Sequence, residues 1–129
     1  MFILVAVLAA LASALHVYIF YMESLAWTGP AARRTFGPAT DSEVTATRAL
    51  AYNQGFYNLF LAITSVIGIV FLFASDSAVG PALVLVGTGS MLAAALVLFV
   101  SDASKRRAAI TQCTLPLLTV IATVIALSV

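Results

Sequence analysis

The sequence predicts an all-α fold, an integral membrane four-helix transmembrane bundle, and three observations carry that prediction. Apolar residues make up 63% of the 129-residue chain and charged residues only 9%, against about 25% charged in an ordinary soluble domain. The apolar residues gather into four runs of about twenty, the length at which a helix rising about 1.5 Å per residue crosses a hydrocarbon core of about 30 Å. No strand-like alternation runs through them, and a barrel would need many short alternating segments, so helices are what can satisfy the backbone in lipid. The spans are expected at about residues 2–24, 48–73, 81–100 and 108–129, in a single domain covering 1–129 with no soluble module.

The first run, MFILVAVLAALASA, ends in Ala12, Ser13 and Ala14, which has the small-x-small form of a signal-peptidase site. No Lys or Arg precedes it, the apolar run continues past Ala14 to Met22, and cleavage would leave an odd number of spans, so it is read as a retained helix. In the loop that follows, Gly29, Pro30, Gly37 and Pro38 break regular structure, and Thr40 with Glu43 three residues on has the form of a capping box. A helix is therefore expected to start near Asp41 and run to about Phe73, roughly 50 Å, so that its first two turns stand outside the hydrocarbon. Gly55 within it is read as a point of close packing. The third span carries Gly87, Gly89, Ser90, Ala93 and Ala94, small residues at spacing four that suit close helix contact within one chain or between copies in a homo-oligomer. In the fourth, Pro116 cannot donate a hydrogen bond and displaces the carbonyl of Gln112, leaving a backbone acceptor at that depth.

Orientation follows from the basic residues. All six lie in or beside the first and third connections: Arg33, Arg34 and Arg48, then Lys105, Arg106 and Arg107. The connection near Ser75 to Gly80 carries only Asp76. The positive-inside rule then places both termini outside and both basic loops in the cytosol. The cluster of Lys105, Arg106 and Arg107 is read as this topology signal and an inner-leaflet anchor. Tyr18, Tyr21, Trp27 and Tyr52 fall where an interfacial aromatic belt is expected.

With orientation set, each polar residue acquires a depth. Asn53 and Gln54 lie one to two turns in from Arg48, and Asn58 about 15 Å in. Glu23 is near the same interface at the end of the first span, with His16 about 10 Å deeper on the same face if the helix keeps its ordinary period. Gln112 lies one to two turns into the fourth span. Three helices thus deliver His16, Glu23, Asn53, Gln54, Asn58 and Gln112 to one layer of the cytosolic half, which is read as a shared polar pocket. Asn53 and Gln54 point about 100° apart, so Gln54 is the one expected beside Asn58. The competing reading is interhelical hydrogen bonding, worth about 0.6 to 2 kcal/mol per group. Glu23 could also be an interfacial anchor paired with Arg48.

Other chemistry is poorly supported by these residues. One His and one reachable carboxylate fall short of a zinc or di-iron ligand set, so no metal and no cofactor are predicted. Cys113 is the single cysteine and is read as a small buried hydrophobe. There is no phosphate-cradling glycine loop, no nucleophile elbow and no basic surface domain for nucleic acid.

The residues His16, Glu23, Trp27, Phe36–Gly37, the run Asn53-Gln54-Gly55 with Tyr57 and Asn58, and Gln112 before Pro116 resemble the bacterial membrane-protein family named domain of unknown function thirteen hundred and four. The likeness covers nearly the whole chain, and the NQG-x-YN run is its most specific part. It implies a four-span protein of the bacterial cytoplasmic (inner) membrane without an assigned activity. One departure is Cys113, where a glycine commonly follows the glutamine in that family. Three functional readings remain: a pocket for a lipid or apolar small molecule, with His16 and Glu23 exchanging protons; a small transporter subunit; or an accessory subunit of a membrane complex. Glu23 near an interface, rather than midway across, weighs against the transporter.

Overall fold

The structure, a computed structural model, describes residues 1–74 and 77–129. Ser75 and Asp76, whose sparse charge enters the topology expectation, lie outside the described residues. Helix α1 covers Phe2–Phe20 and continues as a π-helical turn over Tyr21–Leu25. A short helix α2 follows over Pro30–Phe36, then α3 over Asp41–Ala74 and α4 over Val79–Ser101. A 3₁₀ turn at Ala103–Lys105 leads into α5, Arg106–Ser128. Among the described residues there is no strand. Four helical stretches, Phe2–Leu25, Asp41–Ala74, Val79–Ser101 and Ala103–Ser128, are long and apolar enough to cross a membrane, which suggests a multi-pass membrane protein.

The four long helices form a ring. Helix α1 packs against α3 and α5, α4 packs against the same two, and α1 and α4 face each other across the diagonal. Three layers fill the middle. Val5, Ala9, Val84 and Ala122 form the layer nearest the termini, and Ala12, Ala62 and Met91 the central one. Ile19, Met22 and Ala32, with Trp27 and Phe36 against them, close the loop end. The outward faces carry Ile3, Val7, Val70, Val97 and Leu127, a coat suited to lipid.

Small residues let α3 and α4 touch backbone to backbone. A Cβ on Gly68 would lie 2.7 Å from the Val84 nitrogen, and one on Gly87 would lie 3.0 Å from Ser65. Of the small residues in α4, Gly87 therefore makes the close contact, while Gly89 has nothing near it and Ser90, Ala93 and Ala94 do not pack inside. Three hydroxyls buried in the spans are satisfied along their own helices: Ser13 donates to the Ala9 carbonyl, Thr88 to Val84, and Thr123 to Thr119, at 2.7 to 2.8 Å, whereas the buried Ser65 hydroxyl of α3 has no hydrogen-bond partner among the described residues.

The loop end is organised rather than irregular. Thr40 and Glu43 form the expected capping box: the Thr40 N–H donates to the Glu43 carboxylate at 2.8 Å, and the Glu43 N–H to the Thr40 hydroxyl at 3.3 Å. The breakers of the first loop bound a helix rather than prevent one, since Pro30 stands at the first position of α2 and Gly37 ends it with φ of 95°. The indole of Trp27 donates to Thr47 at 3.2 Å, and the Arg33 guanidinium sits 4.4 Å over its ring. Lys105 donates to the Phe36 carbonyl, which ties the two basic connections together at one end of the bundle.

Candidate functional site

Two polar places flank the loop end of α1, one toward α3 and the other toward α5. The π-turn creates the first. Its wide turn is closed by the Ala26 N–H donating to the Tyr21 carbonyl, five residues back, at 2.9 Å. The turn brings Ser24 and Glu23 onto α3, where the Ser24 hydroxyl donates to the Tyr52 carbonyl at 2.8 Å and the Asn58 carboxamide donates to Glu23 at 2.9 Å. The same Asn58 nitrogen reaches the Gln54 backbone carbonyl at 3.2 Å. Gly55 makes this approach possible, because a Cβ there would collide with the Ser24 hydroxyl and lie 3.0 Å from the Ser24 nitrogen.

His16 lies deeper and is buried, 1% exposed. Its Nδ1 is 2.9 Å from the Ala12 carbonyl, an acceptor only, so Nδ1 carries a hydrogen and the neutral ring keeps Nε2 as its acceptor. Among the described residues no hydrogen bond joins His16 to Glu23.

The second place is a cleft of about 440 Å³ between α1, α2 and α5. Its walls are Leu15, Tyr18, Ile19 and Met22 on one side, Arg34, Thr35 and Phe36 on another, and Arg107, Ala108, Thr111 and Gln112 on the third. Thr35 and Thr111 are engaged, the first donating to the Met22 sulfur at 3.4 Å and the second to the Arg107 carbonyl at 3.0 Å.

The six residues expected to share one pocket do not all meet in either place. Glu23 and Asn58 meet directly. Gln112 lines the α5 cleft, where none of the other five is found. The side chains of Asn53 and Gln54 are exposed, and Gln54 meets Asn58 through its backbone alone. Glu23 is bonded by Asn58 and not by Arg48, which is exposed. The π-turn over Tyr21–Leu25 departs from the ordinary period on which the expected alignment of His16 with Glu23 rests.

Arg34 and Arg107 are cleft residues that the sequence shows only as topology signals. Pro30 before and Gly37 after Arg34 are the available sign of a helix that could present it. Among the described residues no three His, Cys, Asp or Glu side chains converge as a metal ligand set.

Residues 10–124 match a family described as protein of unknown function, DUF1304. No curated protein and no solved structure matches the chain. The match runs from the third turn of α1 to the last turns of α5 and takes in both polar places, so the chain belongs to the DUF1304 family.

Proposed function

We propose that this chain is a single-domain, multi-pass protein of a bacterial cytoplasmic membrane that binds a lipid or other apolar small molecule in the cleft between α1, α2 and α5. The cleft itself carries the reading. Its volume of about 440 Å³ falls in the range of about 300–1,000 Å³ common for small-molecule sites. Leu15, Ile19, Met22 and Phe36 give it apolar walls, with a few polar side chains among them. The membrane and its orientation, basic loops in the cytosol and both termini outside, are supported by the four apolar helices and by six basic residues confined to one end.

Glu23 and Asn58 then serve chiefly to hold α1 to α3, which fixes one wall of the cleft. Native mass spectrometry in mild detergent tests the proposal. Wild-type protein is expected to retain a lipid-sized adduct, and Thr111→Trp, which fills the cleft from an exposed position on α5, is expected to lose it while still folding. A persistent protein partner, with no adduct in either form, would move the reading to an accessory subunit.

A further inference from the structure

We propose that the cleft selects an anionic phospholipid, holding its phosphate with Arg34 and Arg107 and laying one acyl chain against Leu15, Ile19 and Met22. This deepens the cleft reading above and rests on it. The argument is one of charge. Two arginines line the cleft from two elements, α2 and α5, and among the described residues no carboxylate lines it. Among the described residues neither has a carboxylate partner. Glu23 is bonded by Asn58, Glu43 by Thr40, and Asp102 by Ser104, while Asp41 stands exposed in the first turn of α3.

A cleft with apolar walls and two uncompensated cations complements a molecule that is apolar along its length and anionic at one end. Arginine favours phosphate in particular, since its planar fork donates two parallel hydrogen bonds to one group. The position fits as well. Arg107 is the second residue of α5 and Arg34 sits on the short helix α2 across the cleft, so both lie at the loop end where headgroups would be, and the apolar residues of α1 run inward from there. Basic pockets of this kind between membrane helices take anionic headgroups.

The experiment is a titration of the purified, delipidated full chain in mild detergent with phosphatidylglycerol or phosphatidylcholine of identical acyl chains, followed by native mass spectrometry at physiological ionic strength. Wild type is expected to bind phosphatidylglycerol about tenfold more tightly or better, the size expected for a charge-assisted hydrogen bond. The Arg34→Gln/Arg107→Gln pair is expected to lower that affinity to the phosphatidylcholine value and leave phosphatidylcholine binding unchanged. Arg48→Gln, on exposed α3, is expected to change neither.

A preference that survives in the Gln pair, or that Arg48→Gln removes equally, overturns the proposal. Thr111→Trp separates it from the broader reading. If that variant weakens both lipids while wild type binds them equally, the cleft stands and the headgroup assignment falls. If it weakens neither, both fall. Should the Gln pair fail to fold, Arg34→Lys/Arg107→Lys keeps the charge without the fork, and an undiminished preference there overturns the two-pronged contact.

Discussion

Asn58 and Glu23, thirty-five residues apart, are joined by a 2.9 Å hydrogen bond that crosses from α3 to the end of α1. The bond sits where α1 has left its ordinary period, so it fastens the π-turn rather than a regular helix face. Interhelical bonds of this type contribute about 0.6 kcal/mol on average and up to about 2 kcal/mol. Glu23→Ala and Asn58→Ala are expected to destabilise the bundle by amounts that do not add. A double-mutant cycle in detergent unfolding should give a coupling within that range. Zero coupling would mean that the two side chains meet without holding the helices together.

Gly55 gives a sharper test of the same contact. Its absent side chain is what admits the Ser24 backbone at 3.0 Å from the Cβ position, so Gly55→Ala is expected to cost about 1 to 3 kcal/mol through overpacking. Because part of the collision is with the Ser24 hydroxyl, adding Ser24→Ala should recover part of that loss. Thermal unfolding of the single and double variants measures it, and an additive further loss would place the strain elsewhere.

The capping box at Thr40 and Glu43 predicts a local effect. Thr40→Ala removes the hydroxyl that accepts from the Glu43 N–H and is expected to cost about 0.5 to 2 kcal/mol. Hydrogen exchange should show the loss in the first turns of α3, around Ser42 to Thr45, with the amides after Gly55 unchanged. Protection lost evenly along α3 would contradict a local cap.

Orientation is testable without reference to any ligand. A Ser104→Cys variant is expected to react only with thiol reagents that enter the cytosol, and a reporter fused after Val129 to behave as external. The bond from Lys105 to the Phe36 carbonyl adds a condition, since Ala39→Cys must label from the same side as Ser104→Cys. Labelling of position 104 from outside would reverse the topology and place the cleft in the other leaflet.

The parts of this molecule legible in its sequence are those set by composition or by local chemistry. Four apolar runs correspond to the four long helices, and the Thr40–Glu43 spacing marks the start of α3 because a capping box involves only neighbours in the chain. The direct meeting of Asn58 with Glu23 is less legible, since counting residues puts Asn58 about 15 Å in from Arg48 and Glu23 near the interface. Azimuth is harder, because it rests on helical period, and no residue pattern in Tyr21–Leu25 announces a π-turn. The expected alignment of His16 with Glu23 assumes the ordinary period, which the π-turn over Tyr21–Leu25 alters. Helix α2 is hidden by its own boundary residues, Pro30 and Gly37, which look like breaks in regular structure although each also suits a helix end. The pairing of Arg34 with Arg107 in one cleft is tertiary, seventy-three positions apart in the chain, and each alone looks like an ordinary membrane-flanking charge.

The π-turn also makes the first span sensitive to chain length as distinct from composition. Removing any one residue from Tyr21–Leu25 would let the segment close as ordinary α-helix, with better local geometry than before. Everything after it would then turn by about 100° and shift by about 1.5 Å relative to α3. Trp27 would swing off Thr47 and Arg33 would travel with it, so α2 would shift relative to α5 across the cleft. Deleting Glu23, Ser24 or Leu25 would therefore disturb the cleft although none of the three lines it.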